Sequence, residues 1–526
     1  MQLLHIHNLS YQHADGHVQF KQLNFAVSEK LTAIIGANGT GKSLLAQILA
    51  KQLAVTTGNV EFNGSVLLVS QQQLTAQHLE ETSGSIAHQL GIAQKLAALA
   101  RIEQGSCLET DFNLVNDDWL CAQYYQQQLL TLAIDAPLTQ RVGSLSGGQQ
   151  RRLTLYCALQ AAPDLLILDE PTNHLDHAAK QWLIAQLHAF QGHIIVVSHD
   201  RELLNQCNAI IELNNQGATY ETGNYQHYSE QKALQQNALA KRINHLEKEQ
   251  KKQQLQMQQN REKAQQRAAQ GNKNRSTASQ PKVMLDFKKN SAQASKGASE
   301  RLASAKLDSL AKKQQTLKQH LPDNIERKLK FSQPSSNKRL LFIDKLCLPY
   351  GCSKNPVTLQ INSGDKLRIA GPNGSGKSTL LRMISESTKS CLSAAIQLNS
   401  KVLYIDQHCS FLTATDNLEK ALELHCELKP QTIRHLLANI GFKGDDIYRQ
   451  IHQLSGGEKM QLAMLIAAQH AADYLLLLDE PDNHLDLANK QHLAQNLANF
   501  TGSFILVSHD EAFVQQSSLT AQITLK

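Results

Sequence analysis

The sequence predicts an α/β chain: two tandem copies of a parallel-sheet domain joined by an antiparallel helical hairpin. Three observations predict it. Four short motifs occur twice at matched spacings. Continuous apolar runs alternate with helical patterns inside each copy. A Gln/Lys/Ala-rich stretch with a narrow apolar seam lies between the copies.

The first copy holds Gly36-Ala37-Asn38-Gly39-Thr40-Gly41-Lys42-Ser43, then Leu145-Ser146-Gly147-Gly148-Gln149, then Leu166-Ile167-Leu168-Asp169-Glu170, then His199. The second holds Gly371-Pro372-Asn373-Gly374-Ser375-Gly376-Lys377-Ser378, Leu454-Ser455-Gly456-Gly457-Glu458, Leu476-Leu477-Leu478-Asp479-Glu480 and His509. Ser146 precedes Asp169 by 23 residues and Ser455 precedes Asp479 by 24, while Glu170 to His199 and Glu480 to His509 are both 29. Duplication of one ancestral domain explains such matched intervals. One interval differs: Gln71 to Leu145 is 74 residues, against 47 from Gln407 to Leu454. The first copy therefore carries about 27 extra residues, within about 84–135, in a stretch with Trp119, Tyr124 and Tyr125 that reads as helix. The domains read as 1–228, 229–335 and 336–526.

Lys30–Ile35 and Lys366–Ala370 read as short strands leading into the two Gly loops. Leu165–Leu168, Tyr474–Leu478, His193–Val197 and Phe504–Val507 are apolar throughout, as strands buried on both faces of a parallel sheet require.

The middle segment differs in kind. Leu239, Ile243 and Leu246 recur at helical spacing, and so do Leu307, Leu310, Leu317 and Leu321 after a break. Between the two sets, residues 270–298 are Ser/Asn/Gly/Lys-rich and read as a loop at the hairpin tip. Residues 229–338 hold 24 Lys+Arg and 9 Asp+Glu, a net of +15, whereas the whole chain has a net of +6, so the remainder is −9. A basic middle between two acidic ends points to a polyanionic partner. The tip residues Lys273, Arg275, Lys282, Lys288 and Lys289 are the candidate contacts to such a partner, the alternative being a solvated, self-repelling linker.

No apolar run of about 18 residues is present, so no membrane-spanning helix is expected. The start, Met1-Gln2-Leu3-Leu4-His5, lacks the pattern of a secretory signal. The nine cysteines form no C-x-x-C pair and read as reduced thiols.

The motif chemistry is specific. In each Gly loop, backbone N–H groups turn inward around phosphate oxygens at a helix N-terminus. Gly36, Asn38, Gly39 and Gly41 form the first cradle, and Gly371, Asn373, Gly374 and Gly376 the second. Lys42 and Lys377 are placed for the β- and γ-phosphates of ATP, and Ser43 and Ser378 for Mg²⁺. Asp169 and Asp479, each ending an apolar strand, are the other metal candidates. Glu170 and Glu480 can polarise an attacking water. His199 and His509, each in Val-Ser-His-Asp, can contact the γ-phosphate. Gln71 and Gln407 are placed to reach metal and water. Tyr11 is a candidate to stack on adenine, with Tyr350 its weaker counterpart. Ser146 with Gly148, and Ser455 with Gly457, offer donors to the γ-phosphate held by the opposite copy. The expected composite sites join Lys42, Asp169 and Glu170 to Ser455, and Lys377, Asp479 and Glu480 to Ser146. Two ATP would thus clamp the copies together inside a monomer.

The residues Asp169-Glu170-Pro171-Thr172-Asn173-His174-Leu175-Asp176 and Tyr220-Glu221-Thr222-Gly223-Asn224-Tyr225, with the two-copy layout and charged linker, resemble the ABC-F family of ATP-binding cassette proteins. The resemblance covers nearly the whole chain. It implies two P-loop ABC ATPase cassettes in a cytoplasmic, ribosome-binding ATPase. Such a protein would bind the tRNA exit region and direct its hairpin toward P-site tRNA and the peptidyl-transferase centre. Some members protect ribosomes from antibiotics, and others serve housekeeping translation. The motor half of a transporter and a DNA-maintenance ATPase are the alternatives. The second copy departs from the pattern, with Pro481-Asp482-Asn483 for Pro171-Thr172-Asn173 and Glu458-Lys459 for Gln149-Gln150. No C-terminal coiled-coil domain is expected after the second copy.

Overall fold

The structure, a computed structural model, describes residues 4–70, 84–173, 175–214, 217–277, 304–317, 338–349, 356–387, 395–426, 428–442, 444–470, 474–483 and 485–525. The chain divides into two compact units, one holding both cassettes (Met1–Tyr225 with Arg327–Lys526) and one spanning Gln226–Glu326.

The strands of the first cassette are β1 (Leu4–Gln12), β2 (Val18–Val27), β3 (Leu31–Gly36), β4 (Thr57–Glu61), β5 (Val66–Val69), β6 (Leu165–Asp169), β7 (His193–Val197), β8 (Ala209–Asn214) and β9 (Gly217–Thr222). Those of the second are β10 (Arg339–Leu346), β11 (Val357–Asn362), β12 (Lys366–Ala370), β13 (Ile396–Leu398), β14 (Lys401–Ile405), β15 (Tyr474–Asp479), β16 (Ser503–Val507) and β17 (Ala521–Thr524). The first main sheet runs β5-β6-β7-β3-β8-β9 and the second β14-β15-β16-β12-β17. Pairing is parallel except between β8 and β9. A small antiparallel sheet accompanies each, β2-β1-β4 and β11-β10-β13.

The central strands of the main sheets are buried on both faces, which is why they carry no polar alternation. Every residue of β6 and β16 is buried. Leu45, Ile48 and Leu49, on helix Lys42–Leu49, pack on one face of the first sheet with Ile34 and Ile167. The order β6-β7-β3 brings three C-terminal strand ends together. Asp169 is level with Val197, and Val197 with Ile34, two residues before the Gly loop begins at Gly36. In the second sheet Asp479 is level with Val507 in the same way. A parallel sheet thus delivers the Gly loop, the Asp-Glu pair and the histidine to one edge, as such sheets commonly do.

The extra segment of the first cassette folds as helices Ala93–Glu103, Glu109–Val115 and Cys121–Thr131. Tyr124 and Tyr125 lie on the last of these, but Trp119 lies in the turn before it. Leu129, Leu132 and Ile134 bury against Ile86, Leu153 and Tyr156, which ties the segment to the cassette.

In the second unit one helix runs Tyr225–Thr277, about 80 Å at about 1.5 Å per residue. A second helix covers 304–317. Ile243 and Leu310 are buried, and Gln314 donates to Glu247 at 2.8 Å, linking the two helices. The first helix continues through Gly271 to Thr277, where composition predicted loop. Extending an existing helix costs only about 1 kcal/mol for a glycine, and the Lys, Arg and Gln around it favour the helix. The remainder of the predicted tip, with Lys282, Lys288 and Lys289, lies outside the described residues. So do Gln71 and Tyr350. The seven described cysteines are free thiols.

Candidate active site

The first Gly loop encloses a cavity of about 320 Å³, within the usual range for small-ligand pockets. Gly39, Gly41, Lys42 and Ser43 line it beside Asp169, Glu170 and His199. Glycine is required at position 41: its φ is +90°, and a Cβ there would stand 2.7 Å from the Phe20 ring. Gly376 repeats that conformation at φ 95° in the second loop. The lysine heads fold back onto their own loops. Lys42 Nζ donates to the carbonyls of Gly36 and Ala37 at 3.0 Å, and Lys377 Nζ to those of Gly371 and Pro372 at 2.9 Å.

Glu170 and Glu480 adopt left-handed backbone, with φ 49° and 50°. Strain of this kind persists only when neighbours enforce it, and it concentrates at functional sites. Here each glutamate N–H donates to the last residue of the adjacent strand, Val197 at 2.8 Å and Val507 at 2.9 Å. The bond turns the chain at the strand end and aims the carboxylate back over the sheet edge. His199 Nε2 stands 3.7 Å from Glu170 Oε1, and His509 Nε2 3.6 Å from Glu480 Oε1.

Burial sets the protonation of these groups. It pushes Glu170 up to about 7, with Asp169 adding to the shift. It pushes Glu480 up to about 7 as well, with Asp482 and then Asp479 adding. Burial holds the His199 imidazole well below its ordinary value, helped by the Lys42 and Lys490 charges, and holds His509 down to about 4. Both histidines are thus neutral at physiological pH, free to donate or accept a single proton.

The donor set fits a metal–polyphosphate ligand. Ser378 donates to Asp479 Oδ1 at 3.0 Å, and Tyr404 donates to Oδ2 at 2.9 Å. Ser43 hydrogen-bonds to Asp169, whose Oδ1 is buried without a partner. Both ring nitrogens of His199 are also buried without a hydrogen bond. Such orphaned groups cost stability unless a ligand takes them up. Gln407 Nε2 donates to Glu480 Oε2 at 2.7 Å, and Asn483 Nδ2 donates to the same oxygen.

Two of the expected residues do not line this cavity. Tyr11 does not line the cavity; His13 and Gln19 do. The Tyr11 ring packs edge-on against His13 at 5.2 Å. Nor does Ser455 line the first cavity. The second cassette contributes Leu485 and Lys490 instead, and Asp486 Oδ2 accepts from the Asn38 N–H at 3.1 Å. Ser455 is engaged locally: its hydroxyl caps helix Gly456–Gln469 and donates to Glu458 at 2.9 Å. Ser146 caps helix Gly147–Gln160 in the same manner, through Gln149. Gly148 and Gly457 lie in the first turns of these helices.

Sequence reading also missed Arg151. It is buried and donates to the Asn173 and Glu170 carbonyls, bracing the turn that presents Glu170.

The ABC transporter family model matches residues 20–173 and 354–483. The chain is 30% identical to the ATP-binding protein YdiF of Bacillus subtilis (strain 168), over 92% of this chain and 74% of that protein. The chain belongs to the ABC-F family of ATP-binding cassette proteins. This ABC-F chain is also 29% identical to ABC transporter F family member 5 of Arabidopsis thaliana, over 92% of its length and 69% of the relative. It is 28% identical to the ribosome protection protein VmlR of Bacillus subtilis (strain 168), over 97% and 84%. Its fold is similar to that of the archaeal ribosome recycling factor aABCE1 in complex with the ribosomal stalk protein aP1. That likeness has a TM-score of 0.56 at 16% identity, covering 98% of this chain and 87% of the other.

The ABC-F cassettes make the protein an ATPase. ATP, when bound, would supply the phosphoanhydride to be cleaved. The chain's own contribution is placement: cationic loops, a strained glutamate aimed over the sheet edge, and a neutral histidine beside it.

Proposed function

We propose that this ABC-F ATPase acts on the ribosome: two ATP close the cassettes, and the basic hairpin contacts ribosomal RNA and P-site tRNA from the tRNA exit region. In this reading Glu170 and Glu480 are the general bases, and His199 and His509 contact the γ-phosphate. Asp169, Ser43, Asp479 and Ser378 hold Mg²⁺. The protein works in the cytoplasm as a monomer and protects the peptidyl-transferase centre from antibiotics. Among the described residues no helix is long and apolar enough to cross a membrane.

One observation carries the proposal. A segment of net +15 stands between two cassettes of net −9, in a chain collinear over 97% of its length with a protein named for ribosome protection. Lysine and arginine neutralise RNA phosphates and release counterions, so binding must weaken with salt. The test is ribosome affinity of Glu170→Gln/Glu480→Gln as a function of salt, with and without Lys273, Arg275, Lys282, Lys288 and Lys289 changed to glutamine. The expected result is a loss of about 4 in the slope of log affinity against log salt. An unchanged slope rejects the tip as the RNA contact.

A further inference from the structure

Both cassettes carry a lysine four residues after the aspartate of the turn that follows the glutamate: Leu175-Asp176-His177-Ala178-Ala179-Lys180 and Leu485-Asp486-Leu487-Ala488-Asn489-Lys490. Both lysines are almost fully covered. Lys180 is 8% exposed at its side chain and Lys490 12%. A lysine is rarely buried unless paired, so each position demands an account.

Each has two partners, one in each cassette. Lys180 Nζ ion-pairs with Asp200 at 2.6 Å, the residue after its own cassette's histidine, and donates to the His509 carbonyl of the other at 3.3 Å. Lys490 Nζ ion-pairs with Asp510 at 3.0 Å and reaches the His199 carbonyl at 3.5 Å. The arrangement is reciprocal. Lys490 also lines the first cavity beside Glu170 and His199, although it belongs to the second cassette. Lys180 lines the recess that holds Glu480 and His509.

The geometry points to Lys180 and Lys490 as positioning residues that act in trans, each fixing the backbone of the histidine that serves the opposite cassette's nucleotide site. An ion pair to Asp200 or Asp510 anchors each lysine on rigid structure, because those aspartates also cap helices Arg201–Leu204 and Glu511–Gln516. From that anchor the ammonium holds the partner histidine's peptide. The neutral ring then stays within about 4 Å of its glutamate, at the 3.7 and 3.6 Å separations observed. Each histidine is thereby ordered only when the cassettes are together, which links turnover at one site to the presence of the other lobe. One difference separates the two copies. Lys490 faces a second buried carboxylate, Asp482, whose counterpart beside Lys180 is the neutral Thr172.

This inference rests on Glu170 and Glu480 being the two hydrolytic groups, and the test separates the two ideas. In a Glu480→Gln background only the first site turns over; in Glu170→Gln, only the second. To avoid stranding the aspartate that each lysine ion-pairs with, the lysine changes are made as Lys490→Met/Asp510→Asn and Lys180→Met/Asp200→Asn. The trans assignment expects Lys490→Met/Asp510→Asn to lower first-site kcat about tenfold, with the ATP KM changed less than about twofold. The larger loss at the second site should come from Lys180→Met/Asp200→Asn. Lys490→Arg should restore most of the first-site rate. Losses that fall instead on the mutated lysine's own cassette, or that appear in KM with kcat intact, overturn the proposal. Wild-type hydrolysis by Glu170→Gln/Glu480→Gln would reject the glutamate assignment itself, and the lysine roles with it.

Discussion

The two cassettes place equivalent catalytic groups in unequal surroundings. Behind Glu170 stands Arg151, donating to the turn's carbonyls; the matching position in the second cassette is Met460, which is buried and offers no hydrogen bond. Two residues beyond the glutamate, Thr172 shares a 3.4 Å hydrogen bond with Ser198, whereas Asp482 is a buried carboxylate whose Oδ1 has no partner. Asp482 and Asp510 share Lys490, so that Asp510 is held ionised while burial and Asp510 push Asp482 up. The first site is braced by hydrogen bonds to the backbone; the second carries an additional acidic group close to where charge develops. Similar motifs in one chain therefore need not give similar rates. The first site should be the faster.

The largest expected effects come from the glutamates. Either Glu→Gln change should lower turnover at its own site by about 10²-fold or more. Glu170→Gln should remove the greater share of total phosphate release; a greater loss from Glu480→Gln would reverse the comparison. Next is Arg151→Met, which imposes the second cassette's residue on the first. Two carbonyls lose a charged donor, so destabilisation of about 1–3 kcal/mol is expected in thermal unfolding, with first-site turnover reduced about tenfold. Third, Asp482→Thr should raise second-site turnover about threefold when read in the Glu170→Gln background, about 0.7 kcal/mol by the usual rate conversion. It should also raise the thermal midpoint, because a buried, partly unpaired carboxylate is removed.

The smallest effect concerns pH, and there the two sites should agree. In the folded protein Glu480 keeps its proton up to about 7 and His509 stays neutral down to about 4. In the unfolded chain the order is reversed, with ordinary values of about 4.5 and 6.5. Between those two pH values the folded and unfolded pairs bind equal numbers of protons, so the pair adds little pH dependence. Glu480→Gln leaves His509 unopposed. The unfolded state then binds the extra proton, and stability should fall as pH drops from about 6.5 toward 4. Glu170→Gln should produce the same trend through His199, whose value is also held down. Melting curves across that range that parallel the wild type would contradict the reading of both pairs.

Much of this was legible in the sequence because the chemistry is local. A Gly loop between an apolar strand and a helix declares its own structure, and an apolar run ending in Asp-Glu places the carboxylates at the strand end without tertiary knowledge. The partners of Lys180 and Lys490 were not legible, since His509 and His199 lie about 300 residues away in sequence. The available signal was the repeated Leu-Asp-x-x-x-Lys. Residue type alone points to Tyr11 as the stacking ring; that His13, in the turn after β1, lines the cavity is not legible from residue type. The serines of the Leu-Ser-Gly-Gly segments also cap the helices that follow them, a role encoded in Ser-Gly-Gly-Gln and Ser-Gly-Gly-Glu and absent from a reading of them as donors alone. That the helix runs on through Gly271 to Thr277 reflects propagation along a long helix, which residue-by-residue composition understates.

The account stands or falls on nucleotide drawing both lobes together to present the basic hairpin to the ribosome. The most direct measurement is co-sedimentation of Glu170→Gln/Glu480→Gln with 70S ribosomes in ATP and in ADP. The account predicts near-stoichiometric pelleting in ATP and little in ADP. Equal pelleting in both nucleotides, or none in either, would contradict it.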